Sequence, residues 1–241
     1  NILITTANEF GAKNVTFYSG TGDVTVNSAY ATTGTGALTL SAWRNVLIST
    51  GTINLAGGNL TLRSDNSSAS TTGSSAGTYG QVRTLAAIST NGGSITIGGG
   101  SGAITAGSGY ALGVTAGTAS TVRGVSIAAA MDAGGGTIII NGRGANTTGN
   151  SNYGVIVTGV GSIVQTSGAG TITVNGIGGG NTDSTSNSGV ILTTSGIISA
   201  QNGNVTLVGQ GGGGTGIGGN NYGVTLGSSG IARTTGAGSL L

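Results

Sequence analysis

The chain offers little from which to build an acid, a base or a nucleophile. Its acidic residues are Glu9, Asp23, Asp65, Asp132 and Asp183, separated by 14, 42, 67 and 51 positions. Hydrolysis or elimination on a polysaccharide needs carboxylates gathered together, with a bound cation or a basic proton acceptor beside them. These acids fall at unlike points of the sequence pattern. Asp65 lies three residues beyond an aliphatic strand signal ending at Leu62, Asp132 precedes such a signal, and Asp183 lies deep in a loop-like stretch. Each is read as a solvated surface acid. There is no His and no Cys, Lys13 is the single lysine, and no Ser or Thr has a recognisable base beside it, so nucleophilic catalysis has little material. No catalytic residue, cofactor site or metal site is expected.

Weaker signals have ordinary structural readings. The run Gly178–Asp183 (GGGNTD) resembles a glycine-aspartate calcium repeat but occurs once, without the tandem partner that would complete a site. The glycine runs at 134–136 and 211–214 are followed by no Lys-Ser/Thr and no helix signal, so they are not phosphate loops. Tyr79, Tyr110, Tyr153 and Tyr222, with Ser188 in the equivalent place of one unit, stand near the starts of units. They are expected to be aromatic plugs with wet hydroxyls rather than a carbohydrate-stacking column. Trp43 and Arg44 read as a local cation-π or packing pair. The Thr residues described below form one column broken at Ile139, a poor array for ice binding. Sequons at Asn66 and Asn146 are expected by chance in a chain so rich in Asn, Ser and Thr.

Composition narrows the class. Of 241 residues, 53 are Gly and none is Pro, and the 12 charged residues make up 5%, against about 25% in an average soluble domain. The net charge of +2 and pI near 9.2 rest on seven cations spread singly along the chain. Nucleic-acid binders concentrate such charge on one face, so no nucleic-acid partner is expected. No stretch reaches the roughly 18 apolar residues of a membrane span, and the start, NILITTANEF, is not a signal peptide.

What must position these residues is a repeated cassette, Gly-x-ψ-Thr-ψ with ψ aliphatic. It reads GDVTV (22–26), GALTL (36–40), GNLTL (58–62), GSITI (93–97), GTIII (136–140), GTITV (170–174) and GNVTL (203–207). Strict alternation of apolar and polar residues marks a strand with one buried face. Recurrence along the whole chain marks a repeat architecture in which neighbours complete each unit, and argues against disorder. Steps of 22 to 43 residues fit a coil of about 20 residues in three short strands, with insertions at one turn. The 14-residue step from Gly22 to Gly36 is too short for a coil, so these two cassettes are expected on different strands. A second series, GVSI (124–127), GVIV (154–157), GVIL (189–192) and GVTL (223–226), is followed by weaker strands near Ile163, Ile197 and Ile231, then by the cassette and a long loop. The paired ψ residues of both series, Val224 and Leu226 included, are expected to point inward as stacked columns.

The runs LTLSAWRNVLISTGTINLAGGNLTLRSD (38–65), ISTNGGSITIGGGSGAITAGSGYA (88–111), NYGV (152–155 and 221–224) and ITVNGIGGG (172–180) resemble the haemagglutinin-type repeats of bacterial filamentous haemagglutinin-like and autotransporter surface proteins. The resemblance covers nearly the whole chain. It implies a right-handed parallel β-helix outside the cell, serving as adhesin stalk or surface fibre, and it carries over no catalytic motif.

The chain is therefore read as a single all-β domain, 1–241: a right-handed parallel β-helix with three-strand coils and Gly/Asn/Ser/Thr-rich loops leaving one corner. Its expected role is structural or adhesive, at a bacterial cell surface or in a secreted fibre. The alternative is a carbohydrate-active β-helix enzyme of polysaccharide lyase or hydrolase type. The chain opens on strand-like NILIT and stops at GAGSLL, where another cassette would begin, with no helix or charged cap at either end. It is accordingly expected to belong to a longer solenoid, or to stack end to end with copies of itself. Host-cell or matrix glycans or proteins are expected to bind sideways, through the loops at 98–123, 143–153, 175–188 and 209–222.

Overall fold

The computed structural model describes residues 1–6, 8–66, 80–114, 122–181, 183–213 and 218–241. Among them every regular element is a strand and there is no helix. The strands stack into three parallel sheets of eight. The first sheet runs from Ile2–Ile4 through Val24–Val26, Val46–Ile48, Val82–Thr84, Val125–Ile127, Val155–Thr158 and Val190–Thr193 to Val224–Leu226. The second runs in the same order from Asn8–Glu9 and Tyr30–Ala31 to Ile231–Thr234. The third holds the cassettes, from Val15–Ser19 through Leu38–Ala42, Leu60–Ser64, Ile95–Gly99, Ile138–Arg143 and Ile172–Ile177 to Val205–Gln210. A short extra strand, Ala111–Leu112, pairs beside Gly142 and Arg143. The chain visits the three sheets in rotation, and this arrangement is consistent with a parallel β-helix.

Period-two geometry makes the register a ladder of like residues. In the third sheet Leu38 pairs with Leu60, Leu60 with Ile95, Ile95 with Ile138, Ile138 with Ile172 and Ile172 with Val205. Every one of these is at most 1% exposed. Val125, Val155 and Val190 form the same kind of column in the first sheet, and Ile53, Ile88, Met131, Val164 and Ile198 in the second. At about 1.5–3 kcal/mol for each fully buried aliphatic side chain, these columns offset the entropy of ordering a glycine-rich backbone.

The cassette glycine has a separate cause. A Cβ at Gly58 would land on the carbonyl oxygen of Gly36; at Gly93, on that of Gly58; at Gly203, on that of Gly170. Backbone meets backbone where the rungs stack at this corner, and only glycine allows it. The same relation joins Gly238 to Gly203, and Leu240 bridges to Val205 in parallel. The residues after 236 therefore begin another cassette rung.

Gly22 and Gly36 do start different strands: Val24–Val26 lies in the first sheet and Leu38–Ala42 in the third. The first third-sheet strand, Val15–Ser19, escaped the cassette pattern because Lys13 stands in the glycine position. Two expectations are corrected. Val224 and Leu226 continue the columns of Val190 and Leu192 yet are 39% and 52% exposed, because no further first-sheet strand covers their outer side. The cassette strands also run to Arg143, Ile177 and Gln210, further than alternation indicated. Asn141 and Asn175 turn their side chains into a ladder there, with Asn175 Nδ2 donating to Asn141 Oδ1 at 2.8 Å. At the first rung Phe10 stacks on Tyr30 (5.3 Å between centroids), and Phe17 packs edge-on against both.

The loops leave between the third and first sheets and lie on one another. Gly179 N–H donates to Asn152 O, Gly180 N–H to Ala145 O, Gly212 N–H to Asn187 O and Gly213 N–H to Gly179 O. A second asparagine ladder pins their return. Asn187 Oδ1 accepts from the N–H of Asn152 at 3.0 Å and from its Nδ2 at 2.8 Å. Asn221 Oδ1 accepts from the same two groups of Asn187, each at 3.0 Å. The residue before each ladder asparagine (Ser151, Ser186, Asn220) has φ between 59° and 63°, which turns the chain into the ladder.

Candidate functional site

Among the described residues the acids do not gather, and the Glu9 side chain lies outside the described part. Asp23 stands before the first-sheet strand Val24–Val26, Asp132 lies in the second sheet, and Asp65 follows the third-sheet strand Leu60–Ser64. Among the described residues no three His, Cys, Asp or Glu side chains come together as a metal site. The expectation that each acid is simply solvated needs correction for two of them. Asp65 is 1% exposed: the chain turns there at φ 49° and packs the residue against Gly80, with its N–H donating to Arg44 O. Asp23 is partly buried, paired with the Arg44 guanidinium at 2.8 Å, and accepts from Asn45 N–H and Nδ2 at 3.1 and 3.0 Å. Asp183 is exposed in a turn. In the nearby Gly178–Gly180 run, the backbone N–H groups are spent on neighbouring rungs, on Gln210 O, Asn152 O and Ala145 O.

The tyrosines divide. Residues 153, 188 and 222 hold equivalent places, since the N–H of Gly154 bonds to Ser188 O and that of Gly189 to Tyr222 O. In the rung before, that place belongs to Arg123, whose guanidinium lies 5.6 Å from the Tyr153 ring centroid. Burial pushes the Arg123 guanidinium below its ordinary value, with Tyr153 opposing the shift. Tyr110 belongs elsewhere, beside the extra strand Ala111–Leu112, and Tyr79 lies outside the described residues. Asn66, one of the two sequons, is buried and donates to Ser19 O and Ser41 Oγ, so it serves packing.

Among the described residues an open groove of about 320 Å³ lies over the outer face of the second sheet. Its floor is a rank of outward side chains: Asp132 pairs in register with Gln165, Gln165 with Ser199 and Ser199 with Arg233. The strands that hold them bury Met131, Val164 and Ile198 on the opposite face, so alternation forces these four outward. Gln165 Nε2 donates to Asp132 Oδ2 at 2.7 Å, and Gly134 N–H donates to Asp132 Oδ1 at 2.7 Å. Arg233 Nε donates to Ser199 Oγ at 3.3 Å. Ser167 and Gln201 form part of the corner wall, and Gln201 Oε1 is fixed by Gly168 N–H at 2.8 Å. Every lining residue is polar. Sequence analysis places strands near Ile163, Ile197 and Ile231 but neither the short strand Met131–Asp132 nor the rank. Its signal was the spacing of 33, 34 and 34 residues between Asp132, Gln165, Ser199 and Arg233, each one place after a core residue.

Comparisons with protein-family models, with curated proteins and with solved structures return no match.

Proposed function

We propose that this chain is a stretch of right-handed parallel β-helix that serves outside a bacterial cell as a stiff, non-catalytic stalk or fibre segment with an adhesive role. One observation carries the reading: strands pair in parallel along the stack in each sheet, and in the third sheet the core columns set aliphatic on aliphatic from rung to rung. Bending such a stack means opening hydrogen bonds and core columns together, so the architecture favours length and stiffness. The ordered loop layer and the polar groove supply surfaces along the side of the rod. The extracellular, bacterial setting rests on the resemblance of the repeats to haemagglutinin-type sequences.

Negative-stain electron microscopy of the native material tests the reading. Thin rods or filaments are expected, together with no product release from pectin or alginate. Discrete monomers that stay soluble at high concentration would count against the fibre, and turnover of either polymer would count against the non-catalytic role.

A further inference from the structure

We propose that the groove on the second sheet binds an acidic oligosaccharide lying along the stacking axis, with a sugar carboxylate at Arg233 and hydroxyls at Gln165 and Asp132. This rests on the adhesive part of the reading above and places the adhesive site on a sheet face rather than in the loops.

The lining decides the ligand class. With carboxylate, amide, hydroxyl and guanidinium groups and no apolar side chain, the groove has no anchor for an apolar peptide. A nucleic acid strand would need cations repeated along its phosphates, and this rank opposes a single Arg with an Asp three rungs away, roughly 14 Å at about 4.8 Å per rung. A polyhydroxylated chain suits it. Among the described residues Asp132 accepts one hydrogen bond at each oxygen, which leaves acceptor capacity for ligand hydroxyls. Gln165 is held by its Nε2 bond to Asp132, so its amide oxygen is placed without loss of its own freedom to accept.

The charged end is set by Arg233. Its Nε is engaged by Ser199, and among the described residues neither terminal guanidinium nitrogen has a partner. Two terminal N–H donors held in one plane match a carboxylate in fork geometry, which a neutral sugar cannot exploit. The Asp132–Gln165 pair and Arg233 therefore fix a direction: hydroxyls toward the earlier rungs, carboxylate toward the later one.

The test is calorimetric titration of the whole chain with a tetrasaccharide that carries a single, terminal uronate and is otherwise neutral, and with its methyl-esterified, uncharged counterpart, alongside NMR mapping of the bound surface. The charged oligomer is expected to bind about tenfold or more tighter. Arg233→Gln should erase that difference, Arg233→Lys should restore part of it, and Gln165→Ala should weaken both oligomers. Equal binding by wild type and Arg233→Gln, with perturbed resonances in the loops at 177–190 and 210–224, would overturn the groove while leaving an adhesive rod intact. Absence of binding by the charged oligomer at millimolar concentration would also overturn it, and the rod would still be judged by microscopy.

Discussion

Thr84 is a polar rung in an otherwise aliphatic column, between Ile48 and Ile127. It is 1% exposed, and among the described residues its hydroxyl has no hydrogen-bond partner. A buried hydroxyl left unpaired loses its water without compensation. Thr84→Val should therefore stabilise the protein by about 1 kcal/mol, read as a higher denaturant midpoint at unchanged slope. Tyr30 presents the same situation in an aromatic setting: it is 1% exposed, its ring packs against Phe10 and Phe17, and among the described residues its phenol oxygen has no partner. Burial raises its ionisation above the ordinary phenol value of 10.0. The unfolded chain then loses this proton first, so stability present below that value falls as pH rises through it. Alkaline melting curves should show this decline, and Tyr30→Phe should flatten it; an identical pH slope in the variant would refute the assignment.

At the scale of elements, the glycine corner and the asparagine ladder hold the rungs together by different means. Gly93→Ala sets a methyl group against the backbone carbonyl of Gly58, an atom that cannot swing aside. A loss of more than about 3 kcal/mol is expected, large for a single methyl. Asn187→Ala leaves the buried N–H of Asn152 without its acceptor and takes one of two acceptors from its Nδ2, the other being Gly149 O, and should cost about 2 kcal/mol. Hydrogen exchange should show that loss concentrated in the loop layer, with the core sheets still protected. These elements also show what the sequence made legible. Alternation in GNLTL or GTITV identifies a strand and its buried face, since one residue in two must enter the core. The glycine ahead of each cassette identifies a corner, though its cause, contact with the next rung, is visible only in three dimensions. Asn152, Asn187 and Asn221 stayed hidden because they look like ordinary loop polarity. Their marker was the spacing of 35 and 34 residues. The second sheet is faint in its early rungs, whose strands have two residues, too few to alternate, Met131–Asp132 included. The rank from Asp132 to Arg233 stays hidden because its four members are chemically unlike, so only their spacing marks it.

For the molecule as a whole, each rung contacts mainly its neighbours, so stability should be nearly a sum over rungs and interfaces. The register specifies where a rung can be removed. Val155 pairs with Val190, an offset of 35, and the residues before them, Gly154 and Gly189, are equivalent. Deleting residues 155–189 joins Gly154 to Val190 and reproduces a natural junction. It removes one strand from each sheet, together with Asn187, and sets the ladder asparagines Asn152 and Asn221 on adjacent rungs. The shortened chain should fold cooperatively, with a parallel-sheet circular dichroism spectrum and a moderately lower melting temperature. Deleting 155–188 instead leaves one extra residue at the joint. A one-residue slip turns core side chains to the opposite face, so the next rung can dock only by bulging or by exposing its column. That variant should melt far lower or aggregate. Equal stability of the two deletions would mean that register is not what holds the stack together, and the account of the fold given by the aliphatic columns would fail.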